Sequence, residues 1–104
     1  MEEKQKHEVL LLQLVSMFQF ASLQHMGKLK NPVSDKVERD LVQAHATIDM
    51  IEMLHVKMRG NLSPDEEKMF TMLLQELRLN YVDEVSKDQK VQPSGDSSSE
   101  KGDA

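Results

Sequence analysis

The chain has neither cysteine nor tryptophan among its 104 residues. Without cysteine there is no disulfide and no thiolate metal site, and a reducing, cytoplasmic setting is the expectation. Three Phe and one Tyr are too few to build a base-stacking platform. The formal net charge is −5, and Lys and Arg are not clustered, so nothing favours contact with a phosphate backbone. No nucleic-acid partner is expected. No segment alternates β-branched and polar residues as a half-buried strand would. Helix formers dominate instead, and the expected fold is all-α. A chain this short makes one domain and buries only about 60–65% of its unfolded surface. Its core is therefore marginal unless a partner adds to it.

Three prolines and four glycines leave few interruptions, so each one carries weight. Residues 9–27, VLLLQLVSMFQFASLQHMG, contain no formal charge. The length would suit a membrane span, but Gln13, Ser16, Gln19, Ser22, Gln24 and His25 are too polar for hydrocarbon. The preceding MEEKQKH is mixed in sign, which does not fit a secretory leader. The segment is predicted as a helix over about 3–27, apolar almost all the way round. Leu10, Leu14, Met17, Phe18 and Ala21 make one stripe. Leu12, Leu23 and Met26 lie on another side, and Val9 and Phe20 on a third. Such a helix must be covered on several sides.

Asn31-Pro32 breaks the chain. A second helix is predicted over about 36–59, capped by Asp35 with Glu38, or by Ser34. Val37, Leu41, Ala44, Ile48, Ile51, His55 and Met58 follow heptad spacing. Val42, Ala46, Met50 and Met53 fall on roughly the opposite side at 100° per residue. Gly60 ends this helix as a left-handed C′ residue, and Asn61 and Leu62 turn the chain. Ser63 caps a third helix, Pro64 takes its first position, and Glu66 completes a capping box. That helix is predicted over 64–85, with Phe70, Leu73, Leu74, Leu77 and Tyr81 buried. Residues 86–104 are polar and rich in Ser and Gly, and they read as a disordered tail after a helical domain of residues 1–85.

The ordered block Lys57-x-x-Gly60-Asn61-Leu62-Ser63 carries a family resemblance, together with Asp40-Leu41, Ala44, Ile48-Asp49, Leu54, Glu66, Leu74, Leu77-Arg78 and Tyr81-Val82. Ala21, Gly27 and Asn31-Pro32 fit as well. Over about residues 9–85 the chain resembles a bacterial family known as domain of unknown function eighteen-forty-four. Met58 departs from it, since the family usually has Thr after that Lys. The resemblance implies a small helical bacterial protein and no particular activity.

Candidate chemistry is sparse. Glu52-x-x-His55 has the spacing of a carboxylate–histidine pair in di-iron bundles. His45 and Asp49 share its strip, so these four are the only metal candidates. A complete site also needs carboxylates from other helices, and residues 9–27 offer none. No metal or other cofactor is therefore expected. Asp49, with Lys57 or Arg78 as partner, is read either as a register-fixing ion pair or as a recognition charge. No nucleophile elbow, phosphate loop or triad is present, so the chain is not expected to be an enzyme. Eight methionines suit core filler or an adaptable surface. Gly60, Asn61, Ser63 and Pro64 are read as a structural turn.

The expected architecture is an antiparallel hairpin of the second and third helices, with the apolar first helix packed on it. Self-association as a dimer or higher oligomer completes it, because Val42, Ala46, Met50, Met53, Leu12, Phe20 and Leu23 need a covering surface. The expected function is a non-enzymatic protein-interaction module, a small adaptor or regulator. A metal-binding bundle and peripheral membrane association through residues 9–27 are the competing readings.

Overall fold

The computed structural model describes residues 2–91. The fold is all-α, with α1 (Glu3–His25), α2 (Leu41–Lys57) and α3 (Pro64–Val91) and no strand among the described residues. One core holds it together. Val15 and Met26 from α1 and its end, Ala44, Ile48 and Ile51 from α2, and Phe70, Leu73, Leu74 and Leu77 from α3 are buried in a single cluster. Phe70 is fully enclosed, a burial worth roughly 2–3 kcal/mol.

The α2 seam Leu41, Ala44, Ile48, Ile51, His55 and Met58 is buried or half-buried throughout. Its contacts with α3 run in opposite chain order. His45 meets Tyr81 edge-on at 5.5 Å, Glu52 pairs with Arg78 at 3.2 Å, and His55 stacks on Phe70 at 5.2 Å. Helix α1 packs mainly on α2 and touches α3 much less. At the α1–α2 crossing the Ser22 and Thr47 hydroxyls lie 2.7 Å apart and buried. One hydroxyl donates to the other, and the second donates within its own helix, to the Phe18 carbonyl if it is Ser22 or to that of Ala44 if it is Thr47. Small side chains let the two backbones approach, and the buried hydroxyls are satisfied.

The buried face of α1 cuts across the apolar stripes read from the sequence. Leu11, Val15, Phe18, Ser22 and Met26 face the core, whereas Leu10, Leu14 and Met17 are exposed. In a helix apolar on every side, hydropathy does not select the inward face. The small residue at the crossing does.

Two helix boundaries also move. Helix α2 starts at Leu41, not near residue 36, because Asp40 is its cap and accepts a hydrogen bond from the Gln43 amide at 3.2 Å. Asp35 sits at φ +58°, a conformation no helix contains. Asn31 organises the loop instead: its side chain accepts from the Val33 amide at 2.8 Å and donates to Glu38 at 3.0 Å. Val37, assigned to the seam, is exposed in this loop. Helix α3 continues to Val91, so 86–91 are not part of a disordered tail. Residues 92–104, the rest of that predicted tail, lie outside the described residues.

The turn between α2 and α3 is built from local chemistry. Gly60 has φ +90°. The Glu66 amide donates to Ser63 Oγ at 3.1 Å, and the Ser63 amide donates to Glu66 Oε1 at 2.8 Å, a reciprocal capping box.

The two glycines before residue 92 predict a contrast. A methyl group at Gly60 would meet nothing within 4 Å, whereas at Gly27, φ +85°, it would lie 3.2 Å from Cδ of Arg39. Gly60→Ala should cost about 1 kcal/mol from left-handed strain alone. Gly27→Ala should cost more, about 2–3 kcal/mol, because a pinned side chain must also move. Urea denaturation of both variants checks the order, and equal losses would contradict it.

Candidate interaction surface

The residues proposed for metal chemistry do not converge. His45 Nδ1 pairs with Asp49 at 3.1 Å on an open surface. Glu52 pairs with Arg78. His55 bonds to Glu67 of α3 and stacks on Phe70. Each side chain has its own partner, and among the described residues no three His, Cys, Asp or Glu are grouped to share an ion. Asp49 is neither buried nor paired with Lys57 or Arg78, because its helical neighbour His45 takes it one turn away. The turn residues Gly60, Asn61, Ser63 and Pro64 border a cleft of about 750 Å³ that runs to the start of α1. Ser63 Oγ accepts from the Glu66 amide, the contact of a helix cap.

Sequence reasoning missed the main polar feature, which joins the ends of α1 and α3 to the 26–40 loop. Glu84 is 6% exposed and receives three cations. Lys28 Nζ lies 2.8 Å from Oε2 and Lys87 Nζ 2.9 Å from the same oxygen. Arg39 Nε donates to Oε1 at 3.0 Å, its Nη2 donates to the Glu84 backbone carbonyl at 2.8 Å, and its Nη1 pairs with Asp88 at 2.9 Å. The Asp40 amide also donates to the His25 carbonyl at 2.7 Å, so the loop is tied at both ends. The hydrogen bonds from Lys28 and Lys87 hold the Glu84 carboxyl at about 2, against the opposing effect of burial. The same contacts raise Lys87, and Asp88 foremost raises Arg39. These groups are committed to one another. They clamp the 26–40 loop to α3.

The apolar surface is what remains. Met17 is 68% exposed, and Val9, Leu10, Leu12, Leu14 and Phe20 of the same helix are each at least 40% exposed. On α2 the same holds for Val42, Met50, Met53 and Val56. Of the residues assigned to interaction, Val42, Met50, Met53, Leu12 and Phe20 are open to solvent. Ala46 is half-covered, and Leu23 is half-buried against the core. They do not form one patch. Leu12 lines a groove of about 540 Å³ between α1 and α3, with Gln19, Met69 and Met72. Ala46, Met50 and Met53 lie on α2 away from α3. No described helix is long and apolar enough to cross a membrane.

This is a small three-helix protein with a clamped end and an uncovered apolar helix. It belongs to the family described as Domain of unknown function (DUF1844), which matches residues 8–83. No curated protein and no solved structure matches the chain.

The clamp makes a pH prediction. The Glu84 carboxyl is lowered from 4.5 to about 2 in the folded chain. Its stabilisation is therefore fully present above pH 4.5 and is lost as pH falls toward 2. Glu84→Gln should cost on the order of 2 kcal/mol at neutral pH. The gap between wild type and variant should close across that acid window, as measured by urea denaturation at each pH. A gap that does not change with pH would show that the carboxylate charge is not what clamps the loop.

Proposed function

We propose that this protein is a non-enzymatic helical interaction module, a small adaptor or regulator, which binds protein surfaces and associates with itself. The observation that supports this most is the exposed side of α1. Between Val9 and Gly27 it carries apolar side chains, Gln and Ser, and no charge. A monomer rarely leaves a contiguous apolar patch of more than about 300–600 Å² in water unless it serves a binding role. The ionisable groups support the same reading, since those at the clamp are mutually paired and His45 and His55 are each engaged by a neighbouring carboxylate and ring. A lipid surface is a poorer occupant for α1, because interfacial anchors carry Lys and Arg along the polar face and α1 has them only at Lys4 and Lys6.

Light scattering of the purified chain at micromolar concentration tests this. The expected mass is at least twice 11.9 kDa. A mass of 11.9 kDa that does not change with concentration would contradict self-association.

A further inference from the structure

Helical phase places two of the exposed apolar sets on the same side of the molecule. On α1, Val15 and Ser22 point into the core. Leu10, Leu14, Met17 and Ala21 repeat at spacings of four, three and four residues, on a stripe turned well away from them. On α2, Thr47 faces α1 through its bond to Ser22, while Ile48 and Ile51 complete the buried face. Ala46, Met50 and Met53 follow on the flank beyond Thr47, on the side opposite His45 and Glu52, which touch α3. The α1–α2 pair is thus a two-helix layer with α3 on one side. Its other side presents Leu10, Leu14 and Met17 beside Met50 and Met53, all at least 40% exposed.

We propose that a second copy of this chain covers that side. The two α1–α2 layers stack face to face about a two-fold axis beside Leu14, with the two α1 helices antiparallel. This rests on the self-association proposed above and names its surface. The area reaches the threshold: those side chains expose roughly 500 Å² per chain, so a pair that buries them fully covers about 1,000 Å², the least a biological interface needs, and the flanking residues of both helices add to it. The product is a four-helix core of ordinary bundle geometry, with an isologous contact. The chain's own charges choose the direction. The Glu3–His7 pair, 3.4 Å apart, and Lys6 cluster at the start of the stripe. A parallel pair would set Glu3 against Glu3 and Lys6 against Lys6, whereas an antiparallel pair separates them. Residues 2–10 are all exposed, so the first turns of α1 touch little of their own chain. Helical turns without packing are marginal in water. An antiparallel partner lays its own α1 along them.

The absence of cysteine makes single-cysteine crosslinking a direct test. Leu14→Cys, next to the axis, should form an intermolecular disulfide under mild oxidation. Met72→Cys on α3 and Val33→Cys at the loop tip should not. A mixture of Leu10→Cys and Met17→Cys chains should crosslink with each other more than either does with itself. Met17→Glu should halve the light-scattering mass while retaining the helical circular dichroism. If that variant unfolds, the crosslinking pattern still decides the matter, because Leu14→Cys is a mild change at an exposed site. Dimers that crosslink through Met72 overturn this surface and leave self-association standing. Equal self-crosslinking at positions 10, 14 and 17 overturns the antiparallel arrangement. A wild-type chain that is monomeric at every concentration overturns both, and leaves the face to a different protein or a lipid surface.

Discussion

Helix α1 carries apolar side chains on every side, and the chain supplies two other helices to cover them. Helix α2 takes the face of Val15 and Ser22, and α3 contributes a glancing contact along the groove near Leu12. Most of the molecule's other properties follow from this shortfall. The core is a single small cluster, and residues 3–10 at the start of α1 are all exposed. Adding apolar residues to a helix that its own chain does not enclose costs solubility unless the surface has a second use.

The rest of the chain compensates at the opposite end. The 26–40 loop is long for a helix–helix connection, yet it is fastened by Arg39, Lys28 and Glu84 and by the backbone bond between Asp40 and His25. Gly27 supports the arrangement, because any side chain there would press on Arg39. The clamp fixes where α1 ends and α2 begins, and so holds the two helices of the proposed dimer layer in one relation. A network this well paired favours a single geometry, provided every member stays satisfied.

Much of this was legible in the sequence, and the exceptions have physical causes. The turn at Gly60–Pro64 and the buried stripes of α2 and α3 are local patterns, and local patterns were enough to place them. The start of α2 was misplaced because Asp35 and Ser34 offered the same cap chemistry as Asp40, and only the backbone chooses among them: Asp35 sits at φ +58° and Asp40 accepts from the Gln43 amide. The end of α3 was missed for a different reason, since Lys87 and Asp88 gain their roles only through the Glu84 cluster. The inward face of α1 could not be read from hydropathy in a helix with little asymmetry. Ser22 marked it, but a serine in an apolar run reads as an interruption until its Thr47 partner is known. The His45–Asp49–Glu52–His55 strip shared a helix side without sharing a centre, because each member met a nearer partner.

In the proposed dimer the outer face of the α1–α2 layer is covered by a second copy in solution. Amide hydrogen exchange, followed peptide by peptide at several protein concentrations, addresses it most directly. If a second copy covers the face, amides from residues 4–20 exchange slowly, and their protection rises with concentration while that of the Ser63–Glu66 turn does not. Rapid exchange of residues 4–10 at every concentration, with no protection gained anywhere along α1, would show that no second copy covers this face.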